Sequence, residues 1–143
     1  MGGYLGSYLY QVDEKGRITL PAAFRRDGDT QSFVLIQAQP DALTLYPAET
    51  WKEVQERLRA LVRSAPRSRH RLLGLTASAA EVVPDKQGRI LIPERLRSGV
   101  GIESEAQLVG AIDKIEIWSP ARFAEAVSES DDDFRDRLAG IFA

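Results

Sequence analysis

The chain has 143 residues, of which 43% are hydrophobic and 28% are charged, a composition that is ordinary for one compact globular unit. It contains no cysteine and one histidine, His70, which excludes disulfides and thiolate chemistry and argues against a histidine metal site. No apolar run approaches the roughly 20 residues of a membrane span, and the first residues lack the pattern of a secretion signal. We therefore expect a cytoplasmic protein with no metal, no cofactor and no membrane partner.

The net charge of −2 is unevenly distributed along the chain. Residues 52–71 carry seven basic and two acidic residues, a net charge of +5, whereas residues 122–143 carry three basic and six acidic residues, a net charge of −3. Total charge therefore argues neither for nor against a polyanionic partner. The basic stretch includes Glu53 and Glu56, which favours a solvated or subunit-facing helix over a phosphate-binding surface.

The first 25 residues predict two strands joined by a tight turn. Residues 8–12 and 18–20 show a two-residue period, and together they indicate a β-hairpin. In the loop between them, Asp13 can accept backbone N–H bonds and Gly16 can adopt a positive φ. A proline follows the second strand and favours the start of a short helix, which would direct Phe24 inward.

The next segments predict a second strand pair and two helices. Residues 33–37 and 43–46 form the pair, and apolar residues at helical spacing predict a helix from Glu49 to about Ser64. A further helical stretch is expected over residues 67–75, after a proline that ends the first helix.

These elements then repeat at a constant spacing. Asp13–Pro21 has the sequence D-E-K-G-R-I-T-L-P and recurs at Asp85–Pro93 as D-K-Q-G-R-I-L-I-P, an offset of 85 − 13 = 72 positions. The same offset predicts strands at 107–111 and 115–118, and Ser119 then caps a helix. A gap-free register of this length indicates an internal duplication. Each repeat is too small to be stable alone, so we expect two repeats that share one core with pseudo-twofold symmetry.

Three interpretations concern side chains outside the repeated loop. The aromatic residues Tyr46, Trp51 and Trp118 are expected in the core rather than in a base-stacking platform, and His70 on the surface or in packing. The tail has an acidic run followed by a weakly amphipathic segment, residues 134–142. The sequence does not decide between a disordered tail and a partner-binding helix.

The repeated D-x-x-G-R loop is suited to contacting DNA. An arginine after a glycine turn can reach two acceptors on guanine or phosphate, and lysine supplies a point charge. The competing interpretation is structural: Asp caps the turn, Gly bends it and Arg pairs with Asp. The candidate DNA-binding residues are Lys15, Arg17, Lys86 and Arg89 as contacts, with Asp13, Asp85, Gly16 and Gly88 shaping the loops. Arg25 and Arg97, one helical turn after the prolines, are weaker candidates.

The segment Val12–Pro21 resembles the hairpin signature of AbrB-type swapped-hairpin DNA-binding domains. Two copies in tandem, each with D-x-x-x-R, resemble the MraZ family of bacterial transcriptional regulators. Further family features are similar to Tyr4-Leu5-Gly6, Leu45-Tyr46-Pro47 with Trp51, and Glu116-Ile117-Trp118. The resemblance covers about residues 4–127. One departure is Gln87, which stands where the first loop has Lys15; we expect it to make the second loop less basic and to reduce its share in DNA binding.

The resemblance implies an α+β, mainly β fold, in which tandem AbrB-like swapped-hairpin β-barrel repeats with pseudo-twofold symmetry carry flanking helices. The expected boundaries are repeat 1 at 7–49, a helical linker at 50–77, repeat 2 at 78–121, and a C-terminal helix with an acidic tail at 122–143.

The resemblance also implies a function. It predicts a sequence-specific DNA-binding regulator, usually a repressor, of the division and cell-wall gene cluster and its own promoter. A ring-shaped homo-oligomer would bind repeated sites on double-stranded DNA in the cytoplasm, associated with the nucleoid. One alternative is an antitoxin-like domain whose tail neutralises a toxin. The other, a small enzyme using Asp13 and Asp85, is weak because the repeat offers no nucleophile, base or metal cluster, so we expect no enzymatic activity.

Overall fold

A computed structural model describes residues 3–25 and 31–143 and shows an α+β fold. The strands are β1 Ser7–Gln11, β2 Arg17–Thr19, β3 Phe33–Ile36, β4 Ala42–Pro47, β5 Ala80–Val82, β6 Arg89–Leu91, β7 Glu105–Gly110 and β8 Ile115–Trp118. The helices are α1 Ala48–Ser64, α2 Arg69–Ser78, α3 Glu94–Gly99, α4 Pro120–Val127 and α5 Asp132–Phe142, with 3₁₀ turns at Ala22–Phe24 and Pro66–Ser68. The predicted second strand pairs and the helices that follow them are confirmed.

Six of these strands form one antiparallel sheet in the order β1-β7-β8-β4-β3-β5, and β2 and β6 form a separate two-stranded ribbon. The expected β-barrel is therefore wrong, because within the described residues the sheet is open and β1 and β5 lie at its two edges. Closure is not needed to complete the core, since the ribbon contributes Ile18 and Ile90 to the same buried cluster as the large sheet.

The predicted local hairpin between β1 and β2 is also wrong: its turn forms, but the two strands do not pair with each other. The turn forms, with the Asp13 N–H donating to the Arg17 carbonyl at 2.9 Å. The two strands then pair with the second repeat, β1 with β7 and β2 with β6. This exchange places Ile18 opposite Ile90 with both side chains buried, and removal of that apolar surface from water favours it.

The strand register pairs equivalent positions of the two repeats with each other. Ile18 lies opposite Ile90, and Thr44 lies opposite Glu116; in both pairs the residues are 72 positions apart. The strand pair β1–β7 corresponds to the strand pair β5–β3 in the other repeat, with a register that differs by one residue from the offset of 72. Neither repeat completes its sheet alone, so the two repeats share one core.

The core contains the apolar residues predicted to point inward from the short helices. Phe24 in the first 3₁₀ turn and Leu96 in α3 are fully buried. Tyr4 and Tyr8 pack edge-on against the Phe24 ring, with centroid distances of 5.7 Å and 5.2 Å. Phe24 therefore anchors the segment that follows β2, and Leu96 the segment that follows β6.

Three aromatic residues that were expected in the core are not fully buried: Tyr46 on β4, Trp51 on α1 and Trp118 on β8. Tyr46, Trp51 and Trp118 are only half-buried, and Tyr46 packs on Trp51 with ring centroids 5.7 Å apart. For Tyr46 and Trp118 the physical reason is the two-residue period of a strand, since the neighbouring positions Leu45 and Ile117 already occupy the core face.

The tail forms a helix, which decides against a disordered segment, whereas binding of a partner by this helix stays a prediction. Asp131 caps α5, its carboxylate accepting the Phe134 N–H at 3.1 Å, and Asp133 pairs with Arg137 at 3.2 Å. These contacts satisfy the helix start and favour its first turns. Of the helices that the structure describes, none is both long and apolar enough to cross a membrane.

Candidate nucleic-acid interface

The first D-x-x-G-R loop is closed by the carboxylate of Asp13. Its Oδ1 accepts the backbone N–H groups of Lys15 at 2.9 Å and Arg17 at 2.8 Å. Its carbonyl accepts the Gly16 N–H at 2.9 Å, and Gly16 has a φ of +86°. The residue types follow from this geometry, because a short acceptor is needed at the start of the turn and a residue free to adopt positive φ at its end.

The second loop repeats this conformation around Asp85. Its Oδ1 accepts the N–H groups of Gln87 and Arg89, both at 2.9 Å, and its carbonyl accepts the N–H of Gly88, whose φ is +77°. The roles expected of Asp13, Asp85, Gly16 and Gly88 in shaping the loops are thus seen in the geometry. The shared D-x-x-G-R sequence thus produces the same turn in both repeats.

Each arginine is held by the aspartate of its own loop. Arg17 donates its Nε to Asp13 Oδ2 at 2.8 Å, and Arg89 donates its Nε to Asp85 Oδ2 at 3.0 Å. About 30% of each arginine side chain remains exposed. The ion pair of the structural interpretation is therefore present in both loops, whereas the DNA contact of the two arginines stays a prediction.

Hydrogen bonding favours the ionised forms of Asp13 and Asp85. The pKa of Asp13 lies below its ordinary value, first because the backbone N–H of Arg17 donates to the carboxylate; partial desolvation acts in the opposite direction. The pKa of Asp85 is lowered in the same way, first by the backbone N–H of Arg89. A carboxylate stabilised in its charged form is a firm anchor for the guanidinium at neutral pH.

The lysines of the two loops occupy different positions. Lys15 and Lys86 are both exposed, but Lys86 is the second residue of its loop, where the first loop has Glu14. Counting charges, residues 13–17 carry two acidic and two basic residues, and residues 85–89 carry one acidic and two basic residues. The expectation of a less basic second loop is therefore wrong. Lys86 replaces the acidic Glu14 of the first loop, and this gain of positive charge is larger than the loss caused by Gln87 in place of Lys15.

The loops lie at opposite ends of the β2–β6 ribbon, and each is bonded to the other repeat. The carbonyl of Gly16 accepts the Ile92 N–H at 2.9 Å, and the carbonyl of Gly88 accepts the Leu20 N–H at 2.8 Å. These bonds continue the ribbon ladder past its last strand residues. The position of each loop is thus set by the opposite repeat.

Arg25 and Arg97, the two weaker candidates, lie against the loop of the opposite repeat. A Cβ atom on Gly16 would sit 2.9 Å from Nη2 of Arg97, and one on Gly88 would sit 2.5 Å from Nη1 of Arg25. Arg97 is held in place by its Nε, which donates to the Ile92 carbonyl at 2.9 Å. The structure therefore gathers one arginine from each repeat beside each loop.

The outward face of the ribbon adds two side chains that lie outside the D-x-x-G-R motif. Ile18 and Ile90 point into the core, so their strand neighbours Thr19 and Leu91 point outward beside the loop arginines, with Leu91 52% exposed. The two-residue alternation of Arg17–Thr19 was the signal that could have identified them.

The basic stretch 52–71 is not part of this interface. It forms most of α1 and the start of α2, helices that contact β3 and β4, and its Arg59 pairs with Glu56 at 2.5 Å. His70 is exposed on α2, as expected. The described part of the chain contains no group of three or more histidines or carboxylates arranged to hold a metal ion.

Comparison with known proteins identifies the family. The family model described as "MraZ protein, putative antitoxin-like" matches residues 4–73 and again residues 75–141. Proteins named "Transcriptional regulator MraZ" are similar along most of their length. The protein from Desulfitobacterium hafniense is 36% identical over 90% of both chains, and that from Cutibacterium acnes is 34% identical over 98% of both. The protein from Thermomicrobium roseum is 40% identical over 85% of this chain and 84% of its own.

These names denote a transcriptional regulator and not an enzyme, as the sequence led us to expect. The family model accounts for both repeats and for nearly every described residue. The chain therefore belongs to the MraZ family.

Proposed function

We propose that this protein is a sequence-specific DNA-binding transcriptional regulator that represses the division and cell-wall gene cluster, including its own promoter. The observation that carries the proposal is the β2–β6 ribbon, whose ends hold two loops of the same conformation with aspartate-anchored arginines. The names of the similar proteins support it. Its place of action would be the nucleoid, in the cytoplasm.

The dimensions of the ribbon fit the major groove. Leu20, which is bonded to Gly88, lies four residue steps after Gly16, so the loops stand about 13 Å apart at 3.3 Å per step along a strand. The major groove of B-DNA is about 12 Å wide and admits a two-stranded ribbon. Arg17 and Arg89 would then present their Nη groups to guanine O6 and N7 or to phosphates.

The remaining residues of the interface would play different parts. Lys15 and Lys86 at the loop tips would contact phosphates on the two sides of the groove. Thr19 and Leu91 would lie against base edges, where a thymine methyl group suits an apolar contact. Arg25 and Arg97, beside the loops, would add phosphate contacts.

We propose a swapped-hairpin architecture for this interface. The exchange of strands between repeat 1, residues 7–49, and repeat 2, residues 78–121, supports an approximate twofold axis through the ribbon. Residues 50–77 would link the two, and residues 122–143 would follow them. An approximate twofold axis in the protein would match the local twofold symmetry of the duplex.

Assembly into a ring-shaped homo-oligomer would make the interface effective. One chain offers two loops on a molecule of net charge −2, so its affinity for a polyanion should be weak. An array of ribbons at fixed spacing engages repeated promoter sites together, and such multivalency raises binding by about 10²–10⁴.

Footprinting on the DNA upstream of the protein's own gene tests the proposal. We expect protection of repeated sequences by the wild-type protein and loss of that protection in the Arg17→Ala, Arg89→Ala double variant. DNA of the same length with a shuffled sequence is the control. Equal affinity for both DNAs would sink the claim of sequence specificity.

The antitoxin-like alternative is favoured by one observation, the wording of the family description. In that function α5 would bind a toxin. A toxin gene beside this one, whose product forms a stable complex with the full chain and not with a chain lacking residues 129–143, would establish it.

A further inference from the structure

Helices α1 and α2 line an open groove on the surface, with a volume of about 360 Å³. It is lined by Val62, Leu72 and Leu73, with Arg59, Arg63 and Arg69 around them. Leu73 is 49% exposed, and neither helix has a fully buried residue. The groove is thus an apolar surface that nothing within the described chain covers.

The charge around this groove is strongly positive. Arg59 is paired with Glu56, but the segment 52–71 as a whole has a net charge of +5. Guanidinium groups around an apolar floor favour an amphipathic segment of acidic character.

Helix α5 has the properties of such a segment. Its apolar residues Phe134, Leu138, Ile141 and Phe142 recur at spacings of four, three and one, so they share one face. Ile141 is 73% exposed and Phe142 is 81% exposed, and no residue of the helix is buried. An isolated helix of 11 residues is marginal in water, so a partner surface is expected.

The charge of this segment complements the groove. Residues 129–142 carry five acidic and two basic residues, a net charge of −3. One of the two basic residues, Arg137, is already paired with Asp133. The acidic residues concentrate at the start of the helix, where Asp131, Asp132 and Asp133 are consecutive.

We infer that α5 of one copy docks into the α1–α2 groove of a second copy of this chain. The inference rests on the proposed self-association and supplies its interface. Within one chain the groove is open and the α5 face is exposed, so they do not cover each other. Because the two surfaces are different, a docked pair keeps one free groove on one copy and one free helix on the other, so further copies can add head to tail, and the chain of copies closes into a ring when the rotation between neighbours allows it.

Cross-linking of the full chain tests this contact, because the natural sequence has no cysteine. The variants Leu73→Cys and Ile141→Cys each place one thiol on an exposed position, where folding should be unaffected; circular dichroism checks this. After co-expression and treatment with a short bismaleimide, we expect a two-chain product from the mixture and none from either variant alone. Failure of the mixture to cross-link, or a link within one chain in the double variant, would overturn the inference.

Mass measurement separates this inference from the proposed oligomer. Leu73→Asp in the groove and Ile141→Asp in α5 should each reduce the particle in light scattering to one chain of 15.9 kDa. Leu5→Asp, at a 70% exposed position outside both surfaces, should leave the mass unchanged. A wild-type oligomer that both variants preserve overturns the docking and leaves the oligomer standing, whereas a monomeric wild-type protein overturns both.

DNA binding provides a second way to distinguish the docking inference from the proposed oligomer. The two docking variants should retain the weak affinity for a single site and lose about 10²–10⁴-fold on repeated sites, because only multivalent binding depends on assembly. If Leu73→Asp lost single-site binding while its mass stayed that of the oligomer, the groove would be a phosphate-binding surface and the docking proposal would be wrong.

Discussion

Ile18 and Ile90 lie directly opposite each other in the antiparallel β2–β6 ribbon, and each side chain is only 1% exposed. They are equivalent residues of the two repeats, and each immediately follows the arginine of its loop. This pair packs the inner face of the ribbon against the core, while the outer face of the ribbon carries Arg17 and Arg89. Stability and the candidate DNA interface are therefore linked through one apolar pair.

The first prediction concerns that pair. Ile18→Ala and Ile90→Ala should each lower the free energy of unfolding by about 2–5 kcal/mol, because each leaves a cavity in a closely packed core. The double variant should be non-additive by about 0.5–3 kcal/mol, since the side chains are in contact. Urea titration measures all three, and additivity of the two losses would show that the pair is not coupled. Leu91→Ala, on the exposed side of the ribbon, is the control and should change stability by less than about 0.5 kcal/mol.

The second prediction concerns the two arginines. Arg17→Ala and Arg89→Ala should each weaken specific DNA binding by about 1–3 kcal/mol per site, and by similar amounts, because their loops have the same geometry. The melting temperature should change little, because partly exposed ion pairs contribute only about 0–1 kcal/mol. Fluorescence anisotropy and thermal melting measure both effects.

Two controls sharpen this experiment. Arg17→Lys should not restore binding, because lysine lacks both the Nε contact to Asp13 and the forked pair of donors. Lys114→Ala removes a cation between β7 and β8, outside the two loops, and should leave binding intact. A large loss in Lys114→Ala would mean that net charge, and not the ribbon, governs affinity.

The third prediction concerns salt. Affinity for DNA should fall steeply as salt rises, despite the net charge of −2, because phosphate contacts release counterions. Lys15→Ala and Lys86→Ala should each reduce the slope of log affinity against log salt by about 1 for every phosphate that the lysine had neutralised. Titrations at several salt concentrations give the slopes, and an unchanged slope in both variants would remove the lysines from the phosphate-binding surface.

The fourth prediction concerns the loop glycines. Gly16→Ala should destabilise the protein by about 1–3 kcal/mol, because alanine is strained at a φ of +86° and its Cβ would meet Arg97 and the Ile92 carbonyl. Gly74→Ala in α2 is the matched control, since open space surrounds that position and the helix should gain about 0.5–1 kcal/mol. Thermal melting compares them, and a neutral Gly16→Ala would contradict the rigid turn.

The fifth prediction concerns acid. Because the folded state lowers the pKa of Asp13 and Asp85, their ionised forms stabilise the fold above the ordinary aspartate value of 3.8, and this contribution disappears as the pH falls through the lowered pKa values. The double variant Asp13→Asn, Asp85→Asn should therefore be less stable than the wild type at pH 7 and approach its stability as the pH falls through the lowered pKa values. Thermal melts across this range measure the difference, and a difference independent of pH would contradict the role of the charges.

The local features of the protein follow directly from its sequence. The repeat, both loops and helix α1 were predictable because each depends on groups a few residues apart, such as Asp13 and the N–H groups of Lys15 and Arg17. The family resemblance rests on the same short motifs. The two-residue alternation also identified most inward-facing side chains.

Only the tertiary structure decided which strands pair and what remains uncovered. The two-residue alternation of apolar side chains indicates which face of β2 is buried, but it does not indicate which strand pairs with β2. The hairpin and the barrel were therefore mispredicted. The actual partner is set by burial of Ile18 against Ile90, a contact across 72 residues. The same limit applies to Tyr46, whose partial exposure depends on which strands lie beside β4, and to the groove that α1 and α2 line together, which exists only in the folded chain.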